Sequence, residues 1–229
     1  MERHFHHQLE DLKKALLQMA ALVEVQIAQA VKALEERNTA LCEEVIQNDK
    51  PVNDLEMEID HQCIQLLATQ QPIARDLRFI AAAMKINADV ERMGDIAVNI
   101  ARRTRRLIIL PLLKPLIDIP RMALLAQSMV KRSLDAFVRG DEHLAREVCQ
   151  QDDQIDHIQD QIFRELLTYM MEQPRSVPQA LQLIFISRHI ERIADHATNI
   201  AESVVYFLEG KSIKHRADDA VDAGENMPS

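Results

Sequence analysis

Residues 91–101 read Glu91-Arg92-Met93-Gly94-Asp95-Ile96-Ala97-Val98-Asn99-Ile100-Ala101, and 100 residues later the chain reads Glu191-Arg192-Ile193-Ala194-Asp195-His196-Ala197-Thr198-Asn199-Ile200-Ala201. Seven of these eleven positions are identical in the two copies. Repetition at a fixed spacing is typical of a fold that is built from similar structural units. We therefore expect the two halves of the chain to fold alike.

Polar residues recur every four positions in both copies. In a helix this spacing puts them on one stripe in each half, namely Glu91, Asp95, Asn99 and Glu191, Asp195, Asn199. Like charges four residues apart destabilise a helix by roughly 0.2–0.5 kcal/mol per pair. Two interpretations follow: the stripes are solvated faces with Arg92 and Arg192 as counter-charges, or the carboxylates form binding sites.

The composition indicates an acidic, helical, globular protein. The 229 residues are 47% hydrophobic and carry a formal net charge of −9, which is unlike a disordered chain. Only four glycines, two tyrosines and no tryptophan are present, which favours helices over strands. The negative charge argues against a nucleic-acid binder and favours cations or basic protein surfaces as partners.

Cysteine usage and hydropathy predict a soluble, cytoplasmic protein. Cys42, Cys63 and Cys149 are isolated, so neither a disulfide framework nor a Cys-x-x-Cys site is indicated. The N-terminal residues lack the apolar segment of a signal peptide. The longest apolar run, residues 107–120, contains prolines and charges and is shorter than the ~20 residues that span a bilayer. It is too apolar for a free linker, so we expect it to pack against one or both halves.

Apolar residues spaced three and four apart predict an all-α fold. The predicted helices cover residues 9–34, 41–46 with a restart at 50–66, 73–107, 116–138, 144–166 and 177–208. Caps and breaks are predicted at Asn38, Asp49, Gln71-Pro72, Gly140, Asp141, Gln173-Pro174 and Gly210. Short turns between three helices in each half predict two tandem antiparallel three-helix bundles. We place the first in residues 1–110 and the second in 111–210, with 211–229 as a mobile acidic tail.

The hairpin turns also set which side chains meet, because residues equally far from a turn lie level across an antiparallel helix pair. In the first half, Glu91 and Asp95 lie level with a segment that contains Asp49 and Asn53. A further pair, Glu56-x-x-x-Asp60, has no matching carboxylates in the second half and ranks lower.

The second half places more carboxylates at the corresponding level. Glu191 and Asp195 lie opposite an acidic segment of the preceding helix, with Asp152, Asp153 and Asp156, followed by Asp160. Carboxylates that converge from two helices suit hard or borderline cations such as iron, magnesium, manganese or calcium. The candidate metal ligands are Glu91, Asp95, Glu191, Asp195, Asp152, Asp156 and Asp49.

Catalysis is not indicated. A ferritin-like di-iron enzyme needs Glu-x-x-His on two helices, and the chain has no such pattern, no Gly-rich phosphate loop and no nucleophile elbow. His157, His189 and His196 lack partners in the other repeat, which favours a surface or packing role. The cluster Arg102, Arg103, Arg105 and Arg106 complements the dipole at a helix end; a docking patch for an acidic partner or a membrane is the alternative.

Three segments resemble a known family, namely Gln71-Pro72-Ile73-Ala74-Arg75-Asp76-Leu77-Arg78, 91–95 and 191–202, and the resemblance covers residues 9–211. On these segments the chain resembles the PhoU family, the phosphate-specific transport system accessory proteins. The resemblance implies bundles related by a pseudo-twofold axis in a cytoplasmic, commonly dimeric protein. It further implies a negative regulator of the phosphate-starvation response and of phosphate uptake, which links the ATPase subunit of the phosphate ABC transporter to a sensor histidine kinase.

The resemblance also implies metal clusters on paired acidic motifs, here Glu91, Asp95, Glu191 and Asp195. Iron comes first among the expected metals, ahead of zinc, magnesium or manganese, and no organic cofactor is expected. The partner motif fits Asp152-x-x-x-Asp156 in the second half, whereas the first half has Asp49-x-x-x-Asn53 and lacks one carboxylate. Membrane contact is expected only through the partners.

Two other functions remain open at this stage. A metal-dependent enzyme would use the carboxylate clusters for turnover, although no activated nucleophile or acid–base pair is visible. A purely structural helical scaffold would carry the same stripes as solvated ion pairs.

Overall fold

The structure is a computed structural model that describes residues 2–211, with side chains described from Phe5 onward. Seven α-helices cover these residues: α1 Glu2–Glu35, α2 Thr39–Gln47, α3 Lys50–Gln70, α4 Ala74–Ile108, α5 Asp118–Arg139, α6 Glu142–Glu172 and α7 Val177–Glu209. A short 3-10 turn, Pro174–Ser176, precedes α7. No strand occurs within 2–211, and the predicted all-α fold of two tandem three-helix bundles is confirmed.

The two bundles pack side by side through their third helices. In the first, α1, α3 and α4 pack together, with α2 against α1 and α4; in the second, α5, α6 and α7 pack together. The helices therefore form a front layer in the order α3, α4, α7, α6, with α1 and α5 behind it. The helices α4 and α7 run antiparallel, since Arg78 near the start of α4 donates to the Phe207 carbonyl near the end of α7. This arrangement relates the halves by a pseudo-twofold axis between α4 and α7.

The core follows from the apolar periodicity of each helix. Along α1, for example, Leu12, Leu16, Met19 and Val23 are all buried, and full burial of such a side chain contributes roughly 1.5–3 kcal/mol relative to exposure. Gly94 lets α4 approach its neighbours closely, since a Cβ there would lie 3.3 Å from Gln26 Oε1 and 3.5 Å from Val23. The core is continuous across both bundles.

Most predicted helix ends are confirmed. Asn38 accepts a hydrogen bond from the Leu41 N–H, and Asp141 accepts one from the Leu144 N–H. Gly140 and Gly210 end α5 and α7 in the left-handed conformation, which glycine adopts at little cost.

The predicted cap at Asp49 is wrong. Asp49 itself has helical dihedral angles (φ −73°, ψ −33°) and its side chain does not cap α3. An N-cap side chain reaches the first turn from an extended backbone, and α2 and α3 follow each other too closely to allow one here. The Val52 and Asn53 N–H groups bond to the Asp49 carbonyl instead.

The two Gln-Pro turns break the helices at matching points but differ in conformation. Gln71 has φ 47° in the left-handed region, and Ala74, at the start of α4, has φ 45°. Gln173 has φ −135° and leads into the 3-10 turn. The repeat therefore specifies where each hairpin turns but not the path of the backbone.

The connector between the bundles packs against both halves, as predicted from its apolar composition. From the first half, Arg37 donates to the carbonyls of Ile108 and Leu110 at 2.7 Å and 2.6 Å. In the second half, Lys114 forms an ion pair with Glu165 of α6. Leu113 and Leu116 pack against the core.

Among residues 2–211 no helix combines the length and the apolar character that crossing a membrane requires. The bundle boundaries at 110 and 210 stay predictions, and the predicted tail, 211–229, lies outside the described residues except for Lys211.

Candidate functional site

The candidate ligands of the second half come together between α6 and α7. Asp152 and Asp156 project from α6, and Glu191 and Asp195 project from α7; each lies close enough to others of this set to influence their ionisation. The four side chains thus form one acidic cluster, which we call the second cluster. The register predicted from the hairpin turn is therefore correct for these residues.

Burial and mutual repulsion raise the pKa values throughout the second cluster. For Asp152, burial followed by the charges of Asp195 and Asp156 raises the pKa to about 6. Burial, then Asp195 and Asp156, raises the pKa of Glu191. The pKa of Asp195 is also raised, by burial and then by Asp156. Repulsion of this kind is relieved by a proton or by another cation.

One oxygen of the second cluster has no partner. Asp152 Oδ1 is buried and makes no hydrogen bond to any described residue. An unpartnered buried carboxylate oxygen costs free energy that a proton, a water or a metal ion would recover. The exposed Asp160 continues the acidic surface toward the end of α6 and contributes to a raised pKa of Asp156, after burial and Asp153.

The candidate ligands of the first half also meet, but they make a smaller cluster between α3 and α4. Burial, then the charges of Asp95, Glu56 and Asp49, raise the pKa of Glu91, which Arg92 opposes. Asp49 Oδ1 is buried without a hydrogen-bond partner among the described residues, and Asp49 Oδ2 accepts a bond from Asn53 Nδ2 at 3.2 Å. We call Asp49, Glu56, Glu91 and Asp95 the first cluster. It includes Glu56, which the register argument ranked below Asp49.

Counter-charges distinguish the two clusters. Arg92 lies 3.6 Å from Glu91 Oε2 and 3.5 Å from Asp95 Oδ2, as the solvated-face interpretation expects. Arg192 forms no salt bridge with any carboxylate of residues 5–211. The charges of Arg188 and Arg192 oppose the raised pKa values of Glu191 and Asp195, but without a salt bridge the second cluster is the less neutralised of the two.

The side chains of both clusters are of the kind that binds metal ions, but their positions do not form a metal site. All the donors are carboxylate oxygens, which hard and borderline cations prefer, and each cluster contains a buried oxygen without a partner. Within the described part of the chain, however, no three His, Cys, Asp or Glu side chains are arranged to hold a metal ion. Metal binding by Glu91, Asp95, Glu191, Asp195, Asp152, Asp156 and Asp49 stays a prediction.

A contact that the sequence did not predict joins the two bundles beside the clusters. His196 Nδ1 of α7 lies 2.8 Å from Asp89 Oδ1 of α4, and Asn199 Nδ2 lies 3.5 Å from the same oxygen. Asp89 also lines an open cleft of about 510 Å³ between α4 and α7. Repeat comparison missed this pair because the counterpart of His196 is Ile96, and only the packing of α4 on α7 brings Asp89 to it.

The remaining candidates have structural roles. His189 is half-buried, and burial followed by the charges of Arg103 and Arg192 lowers its pKa to about 4, so it is neutral at physiological pH. Cys42 and Cys63 are buried in the core, and Cys149 is half-buried. Burial raises the pKa of Cys63 to about 12 and that of the half-buried Cys149 to about 11, which leaves both thiols unreactive.

Comparison with known proteins finds a matching family model and similar proteins. The family model of the PhoU domain matches residues 16–104 and 119–204. The chain is 44% identical over 209 residues to a phosphate-specific transport system accessory protein PhoU homolog of Aquifex aeolicus, covering 91% of this chain and 95% of the relative. A Pseudomonas aeruginosa homolog with the same description is 39% identical over 218 residues, covering 94% and 89%.

Solved structures agree with the fold described above. The crystal structure of PhoU from Pseudomonas aeruginosa superposes with a TM-score of 0.88 at 40% identity, covering 90% of this chain and 100% of that one. The phosphate transport system regulatory protein PhoU from Streptococcus pneumoniae gives a TM-score of 0.85 at 30% identity, covering 92% and 99%. With two matched domains and relatives that align over most of its length, the chain belongs to the PhoU family.

Proposed function

We propose that this protein is a negative regulator of the phosphate-starvation response and of phosphate uptake. In this role it is a cytoplasmic adaptor between the ATPase subunit of the phosphate ABC transporter and a sensor histidine kinase, and it holds the kinase off when phosphate is plentiful. The observation that carries the proposal is a duplicated carboxylate cluster in a chain whose relatives are described as phosphate transport accessory or regulatory proteins.

We further propose that the clusters bind metal ions and that bound metal sets the charge of the front layer. Asp152, Asp156, Glu191 and Asp195 would supply the ligands of the second cluster, and Asp49, Glu91 and Asp95 those of the first. Iron is the first candidate, followed by zinc, magnesium and manganese. A bound cation would neutralise carboxylates whose pKa values are raised by burial and by one another, and so change how this surface meets a charged partner.

The support for metal binding is stronger at the second cluster. Arg92 already pairs with Glu91 and Asp95 in the first cluster, and Asn53 stands where the second half has Asp156. No arginine or lysine of residues 5–211 pairs with the four carboxylates of the second cluster. We therefore expect the second cluster to bind metal more tightly than the first.

Elemental analysis combined with a reporter strain tests the proposal. The test variant carries Asp152→Asn, Asp156→Asn, Glu191→Gln and Asp195→Asn, and the matched control removes four exposed carboxylates elsewhere with Glu10→Gln, Asp11→Asn, Asp54→Asn and Glu58→Gln. Protein purified without chelator should contain metal in the wild type and the control, and less of it in the test variant. A phosphate-starvation promoter should stay repressed at high phosphate with the wild type and the control, and become active with the test variant.

The outcomes separate the two parts of the proposal. Repression that survives in the test variant would contradict a regulatory role for the second cluster. Metal-free wild-type protein together with a derepressed test variant would keep the adaptor function and reject the metal. We also propose that the protein is a homodimer, and sedimentation of the same samples tests this.

A further inference from the structure

One exposed surface of the second bundle is more apolar than its counterpart in the first bundle. Phe163 and Leu167 of α6 are each 43% exposed, and Leu181 and Phe185 of α7 are 40% and 37% exposed. Met171, one turn beyond Leu167, is 77% exposed. Large apolar side chains that cluster at a surface mark an interaction site more often than isolated ones do.

These side chains lie together because of the register of α6 on α7. Asp156 and Glu191 meet in the second cluster. Phe163 lies seven residues after Asp156 and Phe185 lies six residues before Glu191, so both phenylalanines are at one level of this antiparallel pair. Leu167 and Leu181 lie four residues further toward the turn, again level with each other.

Arginines flank the apolar residues on the side of α4. The Arg103 guanidinium stacks over the Phe185 ring with its carbon 4.2 Å from the centroid, and Arg103 also contacts Gln182. Arg106 lies one turn further along α4, and Arg188 follows Phe185 on α7. Within residues 5–211 none of these three arginines forms a salt bridge. We call Phe163, Leu167, Leu181, Phe185, Arg103, Arg106 and Arg188 the apolar–basic face.

The counterpart of this face across the pseudo-twofold axis keeps one exposed apolar residue, Ile64 at the position of Leu167, but differs at both phenylalanines and at the arginines of α4. Repeat alignment places Asp60 and Lys85 at the positions of Phe163 and Phe185. The counterpart of Arg103 is Ser203, and that of Arg106 is Tyr206. The internal repeat therefore does not require the apolar–basic face, and the two sides of the front layer offer different surfaces.

We propose that the apolar–basic face binds an amphipathic helix of a partner protein that has aliphatic or aromatic anchors on one side and carboxylates beside them. The inference rests on the adaptor function proposed above and adds the kind of segment that the adaptor takes. From Phe163 to Met171 the apolar stripe on α6 is about 12 Å long at 1.5 Å per residue, which matches anchors at positions i, i+4 and i+7 of a docked helix. Three arginines that form no salt bridge lie beside the stripe and complement acidic side chains on that helix.

Charge favours this occupant over a second copy or a membrane. Two copies in a symmetric contact through this face would bring like arginines together. An anionic membrane would also meet the second cluster, two helical turns away on the same layer, in a chain of net charge −9. A helix is narrow enough to contact the arginines without covering the acidic cluster.

Fluorescence anisotropy with three labelled 18-residue peptides tests the proposal on the full-length protein. The first peptide carries leucines at i, i+4 and i+7 with flanking glutamates, the second replaces glutamate by lysine, and the third replaces leucine by serine. We expect the first to bind and the other two to bind at least about tenfold more weakly, since both the anchors and the charges contribute. Phe185→Ser should weaken the first peptide about tenfold, while the matched control Asp60→Ser with Lys85→Ser should leave it within about twofold.

A charge-reversal variant distinguishes a lost binding surface from a misfolded protein, because it should switch the binding preference and not merely abolish binding. Arg103→Glu with Arg188→Glu should switch the preference from the glutamate peptide to the lysine peptide, with helicity by circular dichroism unchanged. Equal binding of all three peptides, or binding that Phe185→Ser leaves unchanged, would overturn the proposal. So would a dimer that Phe185→Ser dissociates in sedimentation, or binding to phosphatidylglycerol vesicles that the charge reversal abolishes. Since these measurements use purified protein, their failure leaves the reporter result for the adaptor function standing.

Discussion

Asp89 Oδ1 of α4 lies 2.8 Å from His196 Nδ1 of α7, and this contact crosses the boundary between the two bundles. Both side chains are 17% exposed, and the adjacent carboxylate of Asp195 belongs to the second cluster. The pair therefore couples the packing of one bundle against the other to the region where we propose that metal binds.

A double-mutant cycle measures what this contact contributes. Asp89→Ala and His196→Ala should each lower the free energy of unfolding at pH 6, with a coupling energy of about 1 kcal/mol between them, because a largely buried hydrogen bond to a charged group is worth more than an exposed one. His7 and Asp11 form an exposed pair at 3.6 Å and serve as the control cycle, with an expected coupling below about 0.5 kcal/mol. Equal coupling in the two cycles would show that the α4–α7 contact is no stronger than a surface pair.

Asp152 should make the stability of the protein depend on pH. Its pKa in the folded chain is about 6, above that of an unfolded aspartate at about 3.9. Between these values the folded chain holds a proton that the unfolded chain has lost, so the free energy of unfolding falls as the pH rises from about 4 to about 6. In chelator, Asp152→Asn should be more stable than the wild type at pH 7 by about 1 kcal/mol, a figure reduced for solvent screening of a half-exposed group, and this advantage should vanish at pH 4.

Asp54 provides the control for that pH dependence. It is an exposed aspartate on α3, outside both clusters, and Asp54→Asn removes the same charge without removing the buried carboxylate. Urea unfolding at a series of pH values compares the three proteins. If Asp152→Asn and the wild type have parallel stability profiles between pH 4 and pH 7, the burial and repulsion described for Asp152 are wrong.

Local patterns in the sequence were enough to predict most of the secondary structure and the second cluster. The spacing of apolar residues predicted the helices, and Asn38, Asp141, Gly140 and Gly210 act as expected because a cap depends on residues within one turn. Hairpin register paired Asp152 and Asp156 with Glu191 and Asp195 because the turn lies between them and the helices are regular. Both the caps and the register depend only on residues within one helix or one hairpin.

Local sequence patterns could not predict features that depend on packing between distant helices. The contact of Asp89 with His196 arises from the docking of α4 on α7, and neither residue has a matching partner in its repeat. The error at Asp49 has a local cause, since α2 and α3 are nearly continuous and keep its backbone helical. The apolar–basic face also depends on docking, because it joins residues of α4, α6 and α7 that are up to 85 positions apart.

The turn after α3 stores strain that glycine should relieve. Gln71 has φ 47°, a left-handed conformation that costs a residue with a Cβ about 1–2 kcal/mol. Gln71→Gly should therefore raise the free energy of unfolding by about 0.5–1 kcal/mol after the greater chain entropy of glycine is counted. Gln173 occupies the matching turn with φ −135°, and Gln173→Gly should bring no gain. Chemical denaturation of both variants checks the difference, and stabilisation of equal size in the two would contradict it.

Three phenylalanines should bind the two bundles into one cooperative unit. Phe137 of α5 is 1% exposed and stacks on Phe79 of α4 at 5.3 Å between ring centroids, and Phe79 meets Phe207 of α7 edge to face at 5.5 Å. Phe137→Ala should lower the free energy of unfolding by about 3–5 kcal/mol, because it leaves a cavity at a point where both bundles meet. Leu124→Ala on the same helix, at a side chain that is 67% exposed, should change it by less than about 0.5 kcal/mol.

Calorimetry distinguishes a shared core from two independent ones. If the bundles share a core, the wild type and Phe137→Ala should each unfold in one transition, with the whole transition moved to lower temperature in the variant. Two transitions, of which Phe137→Ala moves only one, would show that α5 stabilises its own bundle alone. In that case the contact of Phe137 with Phe79 would be a surface of docking between separately folding units, and the link between Asp89 and His196 would be expected to open without unfolding either bundle.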